Sequence, residues 1–361
     1  MQVGLVGLTL TGKTTLFNLL TESRIDTGSF SGKAASNVGM ARVPDNRVDL
    51  LSGLFKPKKT TYAQIEFVDV AGLVAAQDGQ KSGAAKFLND VRNTDAIVHV
   101  LRAFAAEDVV HVAGRIDPAS DLESVEMELL FADLELIEKR IERIKTGKKI
   151  TKETGAELAL LEKAYPVLES GGSMLDVDLT EEERASIRNF AFLTEKPRLA
   201  VVNLDEEQYR DRQYPGREEL IALCRAKNIP LVELCAKMEL EISELPPEDR
   251  TMFMEDLGLT DTGVEVLARA VYVHLGLISF FTVGEDEVKA WTIQEGLNAR
   301  EAAGKIHSDI ERGFIRAEVV KYSDIVEHGS LVKVKEKGLF RLEGKEYIVA
   351  DGDIVHFRFN V

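Results

Sequence analysis

The octapeptide Gly7-Leu8-Thr9-Leu10-Thr11-Gly12-Lys13-Thr14 satisfies G-x-x-x-x-G-K-[ST] in full. Residue types in that order share one chemistry, the holding of a polyphosphate. Glycines let backbone N–H groups close on phosphate oxygens, and a helix beginning at the end of the loop adds partial positive charge. Lys13 reaches the outer phosphates, and the Thr14 hydroxyl takes a place on Mg²⁺. Farther along, Asp69-Val70-Ala71-Gly72 ends an apolar run with an acid and a glycine. There Asp69 is expected to hold Mg²⁺ through water and the Gly72 N–H to meet the terminal phosphate. The expected phosphate contacts are thus Thr9, Leu10, Thr11, Gly12, Lys13, Thr14, Thr15 and Gly72, with Thr14 and Asp69 on the metal.

A third group reads the base. Guanine-specific sites carry Asn-Lys-x-Asp, whose Asp pairs with guanine's N1 and N2 donors while the Lys stem packs on the ring. Here the corresponding strand end is Asn203-Leu204-Asp205-Glu206. With Leu in place of Lys and Glu one methylene longer than Asp, the guanine clamp is spoiled, and a site without that buried pairing discriminates little against adenine. Asn203 and Glu206 are therefore expected on the base. Leu231, Cys235, Ala236 and Lys237, on and after the next strand, form the remaining base-side wall. ATP is the expected substrate, with GTP as the alternative; a simple polar turn at Asn203 to Glu206 is the other possibility.

These groups need a strand before each loop and a helix after the first. Val3, Leu5 and Val6 form a short apolar strand and Thr15 to Leu20 starts a helix; Ile65 to Val70 and Ala96 to Leu101 are apolar enough for buried strands. Alternation of this kind marks an α/β fold with a mostly parallel sheet. After Asp117-Pro118 the period changes. Met127, Leu130, Leu134, Ile137, Ile141 and Ile144 follow a heptad seam that Leu158, Leu161, Tyr165 and Leu168 resume, which predicts an antiparallel helical hairpin. Its tip carries Lys139, Arg140, Arg143, Lys145, Lys148, Lys149 and Lys152 with Glu142 among them. Either these charges face only water or they probe a phosphate backbone. Strands resume at Pro197 to Asn203 and Pro230 to Leu234, so the hairpin interrupts the first sheet. From Leu277 the text turns to short strands, glycine turns and aromatics. Phe280, Phe281, Trp291, Phe314, Tyr347, Phe357 and Phe359 read as the core of a small mixed domain. The division is a nucleotide domain over 1–120 and 196–276, a hairpin over 121–195, and a last domain over 277–361.

With 361 residues the chain is long enough for two or three cores, and its formal charge of −16 leaves any nucleic-acid contact to a local patch. Two cysteines, Cys224 and Cys235, suit a reducing cytosol and burial as apolar residues. A core strand at the very start leaves no room for a signal peptide, and no apolar run approaches a membrane span. A cytoplasmic monomer without membrane contact is the expectation.

Taken together the landmarks resemble the YchF family, the Obg-like ATPases of the TRAFAC class. The likeness runs through Asn37-Val38-Gly39, Val43-Pro44-Asp45, Phe67 to Val74, His111-Val112-Ala113-Gly114, Leu129 to Asp133, Asn203-x-x-Glu206 and Phe281 to Thr292. It is most specific in Ala302 to His307, Gly313 to Ala317 and Asp351 to Val361. The resemblance implies a P-loop NTPase with an inserted α-helical hairpin and a C-terminal β-grasp (TGS) domain. The implied activity is hydrolysis of ATP to ADP and phosphate, with Mg²⁺ as cofactor. The implied partner is the ribosome or ribosomal RNA, met through the hairpin and the TGS domain.

Members of this family carry an apolar residue after the D-x-x-G glycine, a position that Leu73 fills. Leu73 cannot polarise water, so another group must orient it; His111 matches a family histidine, while His99, inside an apolar strand, reads as structural. Lys13, Leu73 and His111 are the catalytic candidates. The chain departs from the family at Thr9-Leu10-Thr11, where Pro-Asn-Val is usual, and at Lys33, where a Thr for Mg²⁺ is expected. It departs again at Ala75-Ala76-Gln77-Asp78, where Gly and Lys are usual. Those changes predict slow turnover and keep open a nucleotide-gated binding module with little or none.

Overall fold

The strands that run into the Gly7–Thr14 loop and into Asn203 are almost wholly buried, and that burial dictates the first sheet. In the computed structural model, which describes residues 1–25, 37–73, 81–106, 114–147 and 151–360, the elements follow in chain order. They are β1 (Gln2–Val6), α1 (Lys13–Thr21), β2 (Asn37–Arg42), α2 (Asn46–Phe55), β3 (Lys59–Thr61), β4 (Gln64–Asp69), α3 (Lys81–Arg92), β5 (Ala96–Arg102), α4 (Pro118–Lys145) and α5 (Lys152–Glu169). Next come α6 (Glu181–Ile187), β6 (Arg198–Asn203), α7 (Glu206–Asp211), α8 (Arg217–Ala226), β7 (Leu231–Leu234), α9 (Ala236–Glu244), α10 (Pro247–Asp256) and α11 (Gly263–His274). The carboxyl-terminal part holds β8 (Leu277–Val283), β9 (Glu287–Gln294), α12 (Ala299–Ile306), α13 (Ser308–Arg312), β10 (Phe314–Lys321), α14 (Tyr322–His328), α15 (Leu331–Glu336), β11 (Arg341–Glu343) and β12 (Asp353–Phe359).

The chain divides into two units, Met1–Gly39 with Glu66–Val264 and Met40–Ile65 with Glu265–Val361. In the first unit the sheet order is β2-β4-β1-β5-β6-β7, with β4, β1, β5, β6 and β7 mutually parallel. A parallel sheet needs helices on both faces, so its strands lose the in–out alternation of sequence. All seven residues of β5 are buried. On the side where α4 crosses, Ile97 packs with Phe87, Val125 and Leu129, and Leu101 with Leu122, Leu220 and Cys224. Cys224 and Cys235 are buried free thiols, and burial pushes Cys224 up to about 11.

The hairpin is α4 and α5. Pro118 stands in the first turn of α4 and the Asp117 carboxylate accepts the Ser120 N–H at 3.1 Å, capping a helix of 28 residues, roughly 42 Å long. Leu130, Ile137, Ile144, Leu161 and Leu168 are buried in its seam, as the heptads predict, together with Leu160 and Ala164, which they do not. Met127 is 47% exposed and lies outside the seam. The tip charges also differ from their linear reading. Arg140 pairs with Glu157, Lys145 with Glu162 and Lys139 with Glu135, so neighbouring turns offset three of the cations. Lys148 and Lys149 lie outside the described residues. Asp133, fully buried on α4, accepts the Leu193 and Thr194 N–H groups at 3.0 and 2.8 Å and ties the helix to the returning chain.

The second unit carries a sheet ordered β11-β10-β12-β8-β9-β3. Its edge strand β3 comes from the amino-terminal third and runs parallel to β9, with Lys59 opposite Glu287 and Thr61 opposite Lys289. Just before it, Arg47 of α2 hydrogen-bonds both Asp45 and Asp351, the latter at 2.6 Å, and Asp351 accepts the Ser279 N–H. Residues 40–65 therefore pack with the carboxyl-terminal unit, where the sequence division had left them with the nucleotide domain. Pairing across 304 residues has no local signature. Phe280, Trp291, Phe314, Tyr347 and Phe357 belong to the core on one face of this sheet, while Phe281 packs near Tyr322 on the other and Phe359 is 45% exposed.

Candidate nucleotide site

At the carboxyl edge of the first sheet, β1 opens into the loop Gly7 to Thr14. Gly7 has φ 145°, and a side chain there would meet the Val100 carbonyl oxygen at 2.4 Å. The Gly7 carbonyl accepts the Leu73 N–H at 3.0 Å, and Leu8 bridges Leu73, so the loop and the Asp69–Gly72 segment are held together. Leu10 and Gly12 have φ of 64° and 92°. That conformation costs a leucine roughly 1–2 kcal/mol, and it turns successive backbone N–H groups toward one concavity. Gly12 caps α1 without a side chain, which leaves the first N–H groups of the helix to an incoming anion.

Lys13 is buried and its Nζ donates to the Leu8 carbonyl oxygen at 2.5 Å, so the cation folds back over its own loop. Burial lowers its pKa to about 8, against the opposing pull of Asp69. The Thr14 Oγ1 donates to Asp69 Oδ2 at 2.9 Å, while Asp69 Oδ1 is buried with no hydrogen-bond partner among the described residues. Burial also raises the Asp69 pKa; its bond from Thr14, the Lys13 charge and a bond from the Asn37 side chain oppose the rise. A hydroxyl beside a carboxylate with one unsatisfied buried oxygen is the donor set a hard cation takes, so the residues present fit Mg²⁺. A side chain at Gly72 would come within 2.9 Å of Lys13 Nζ and of the Thr9 methyl, which places Gly72 against the loop. Thr11 is buried, its hydroxyl donating to the Leu8 carbonyl at 3.2 Å. Thr15 follows Thr14 in the first turn of α1.

On the base side, the Asn203 Nδ2 donates to the Thr11 carbonyl at 3.1 Å and its Oδ1 accepts the Ala236 N–H at 3.0 Å. Both ends of the carboxamide are in use, and Asn203 is only 6% exposed. The side chain thereby ties the phosphate loop to the β7–α9 turn. Leu204 is buried in the core with Tyr214 and Leu220, so this position does not present a stem to a ring. Glu206 opens α7 and pairs with Lys237 of α9 at 2.8 Å, with both side chains well exposed. The Lys237 charge holds the Glu206 carboxyl below its ordinary value. Cys235 and Ala236 are buried at the start of α9. Among the described residues, Leu231 is the expected site residue held apart from the rest. It begins β7 opposite Ala200, three positions back from the edge where Asn203 meets Leu234, and packs on the core.

Leu73 is 6% exposed and packs with Leu8, Val70 and Phe87, presenting no polar group to water. His111, Lys33 and Ala75 to Asp78 lie outside the described residues. His99 is buried beside Gly7, and burial pushes its pKa down to about 3, followed by the charges of Lys13 and Arg198. Both of its ring nitrogens are buried with no hydrogen-bond partner among the described residues. Two participants escape the sequence reading: the Leu8 carbonyl that parks Lys13, and the Asn203 brace. Neither has a residue-type signal, because a backbone oxygen is common to every residue and a brace depends on what stands opposite.

Comparison with known proteins is concordant along the full length. Residues 2–132 match a family model described as a 50S ribosome-binding GTPase. Residues 277–360 match the model for the YchF GTPase carboxyl-terminal region, described as a protein of unknown function. The protein of Bacillus subtilis (strain 168) named ribosome-binding ATPase YchF is 42% identical, with 100% of each chain covered. Its namesake in Haemophilus influenzae is 43% identical, covering 100% of this chain and 99% of the other. Among solved structures, the YchF GTPase of Schizosaccharomyces pombe superposes with a TM-score of 0.86 at 30% identity, over 99% of this chain and 97% of that one.

Proposed function

The chain belongs to the YchF family, and from that premise we propose that it binds ATP at the Gly7–Thr14 loop and hydrolyses it slowly to ADP and phosphate. The observation that carries this reading is the meeting of Thr14 and Asp69 at 2.9 Å beside the buried Lys13, at the mouth of a phosphate loop. In phosphoryl transfer the protein's part is positioning and charge compensation. Lys13, released from the Leu8 carbonyl, moves its charge onto the outer phosphates. The N–H groups of Gly12 to Thr15 take the inner oxygens, and the Gly72 N–H takes the terminal one. Thr14 and Asp69 would hold Mg²⁺, which would supply compensation of the phosphate charge. Leu73 excludes water from one side of the terminal phosphate and cannot orient it, which accords with slow turnover; His111 is the proposed orienting group. Glu206 and Lys237, with Asn203, Cys235 and Ala236 behind them, form the base wall.

The curated relatives are named ribosome-binding, which supports the ribosome as partner, met through the α4–α5 hairpin and a TGS-type domain over 277–361. A monomer in the cytoplasm completes the proposal. Among the described residues no helix is long and apolar enough to cross a membrane. The relatives' names divide between ATPase and GTPase, so the base is tested directly by calorimetry with ATP and GTP in the presence of Mg²⁺. GTP bound at least about tenfold more tightly than ATP overturns the base assignment, since that ratio is a difference of about 1.4 kcal/mol. The departures at Lys33 and at Ala75 to Asp78 favour one second reading, a nucleotide-gated module with little turnover. Single-turnover phosphate release separates the two: hydrolysis abolished by Lys13→Ala supports the enzyme, and binding without release, alone or with ribosomes, removes it.

A further inference from the structure

Along α4, Met127, Phe131, Leu134, Glu138, Ile141 and Lys145 recur every three or four residues, so they lie on one face of the helix. That face is a flank of the hairpin, beside the buried seam of Leu130, Ile137 and Ile144. Met127 is 47% and Phe131 57% exposed, while Leu134 and Ile141 are partly buried against the seam. Two antiparallel helices each bury one stripe, and their flanks stay open unless a third element covers them. Met174, Val177, Ile187 and Phe192 join the hairpin core. Nearer the tip, a groove of about 480 Å³ is lined only by α4, its cap Thr146 and α5. Ile141 and Tyr165 are its partly buried members, and Glu138, Glu142 and Glu162 its exposed ones, together with Lys145. Tyr165 Oη donates to Glu138 Oε1 at 2.7 Å, and Lys145 pairs with Glu162 at 2.6 Å. Three carboxylates thus stand against one ammonium around the groove. The Glu138 bond, then burial and the charges of Glu138 and Glu169, push the Tyr165 phenol above its ordinary value, so a fourth acid lies close by.

We propose that this flank docks a lysine- or arginine-rich amphipathic helix of a partner protein, lying along α4 from Met127 to Lys145 as a third helix of the hairpin. The partner's apolar stripe covers Met127, Phe131 and Ile141, and its cations meet Glu138 and Glu142, one turn apart on α4. At 1.5 Å per residue the contact runs roughly 27 Å, about five turns. Charge selects the occupant. A phosphate backbone or an acidic helix would meet carboxylates of its own sign here, whereas a basic helix finds complementary charge beside an apolar stripe. The inference concerns a protein contact, and it depends neither on the nucleotide site nor on the ribosome as partner.

The test uses the full chain and the anisotropy of a fluorescein-labelled synthetic helix about three heptads long, with leucine at the a and d positions and lysine at e and g. The wild type should bind it. Glu138→Lys combined with Glu142→Lys is expected to weaken binding by about tenfold or more, and Phe131→Ser by about fivefold. All three side chains are exposed, so the denaturant midpoint and ATP affinity should stay near those of the wild type. Glu248→Lys combined with Asp249→Lys, on the exposed surface of α10, changes the net charge equally and should leave the helix bound. An equal loss in that control pair would reduce the attraction to overall charge and overturn the proposal. So would a wild type that binds no lysine helix, or one that binds a glutamate-for-lysine version as tightly. Labelled oligouridylate bound by the wild type and lost in Phe131→Ser would give the flank to RNA, which also overturns it. No ribosome enters these titrations, so failure of the ribosome as partner is read separately, by co-sedimentation.

Discussion

The Asn203 carboxamide donates to the Thr11 carbonyl oxygen at 3.1 Å across 192 residues, and a side chain at Gly12 would lie 2.4 Å from its Nδ2. The end of β6 thus presses on the turn of the phosphate loop, so base wall and phosphate cradle share one support.

Asn203→Ala removes a donor to one buried group and an acceptor from another, the Thr11 carbonyl and the Ala236 N–H. Each orphaned group costs about 1–3 kcal/mol. The variant should be less stable by denaturant titration and bind ATP more weakly, with a similar loss for GTP and for free triphosphate. A loss confined to one nucleoside triphosphate would return Asn203 to a base contact. Gly12→Ala should abolish nucleotide binding by a different route, since its methyl meets that amide at a φ of 92°.

Lys13 makes nucleotide binding depend on pH. Burial holds its pKa near 8 in the free chain, below the ordinary 10.5, whereas phosphates require the charged form. Above pH 8, ATP must therefore recruit a proton, and affinity should fall by up to about tenfold per pH unit. Calorimetry at pH 9 in buffers of different ionisation heat should show proton uptake approaching one, and far less at pH 6.5. Buffer-independent heats at pH 9 contradict this. In the unliganded chain the same shift lowers stability as pH falls from 10.5 toward 8.

Glu206 is exposed and salt-bridged to Lys237, so replacing it should not unfold the chain. Glu206→Gln is expected to narrow the ratio of ATP to GTP affinity by a fewfold while leaving triphosphate binding unchanged. Titrations showing the ratio unmoved would leave this pair as a surface contact.

Asp133 is fully buried between two N–H groups, with Arg92 Nη2 at 3.9 Å. Asp133→Leu strands both donors and should cost about 2–5 kcal/mol, read as a lower denaturant midpoint. ATP affinity should hold, because α4 contributes no phosphate contact. A midpoint within error of wild type would show that the hairpin is anchored elsewhere.

The phosphate loop and its lysine are legible in sequence because their chemistry is local: eight consecutive positions must place glycines, a cation and a hydroxyl in one order. The strands and the α4–α5 hairpin are legible because burial imposes a period on side chains. What the tertiary structure alone decided depends on partners far apart in sequence. Arg47 finds Asp351 and β3 finds β9, which moves residues 40–65 into the carboxyl-terminal unit. Glu157 and Glu162 meet two cations of the hairpin tip, Arg140 and Lys145. Asn203 spends both ends of its amide on backbone, and Leu231 stands three positions back from the edge where Asn203 meets Leu234. A residue's type sets which bonds it can make, and only the fold supplies the group that faces it.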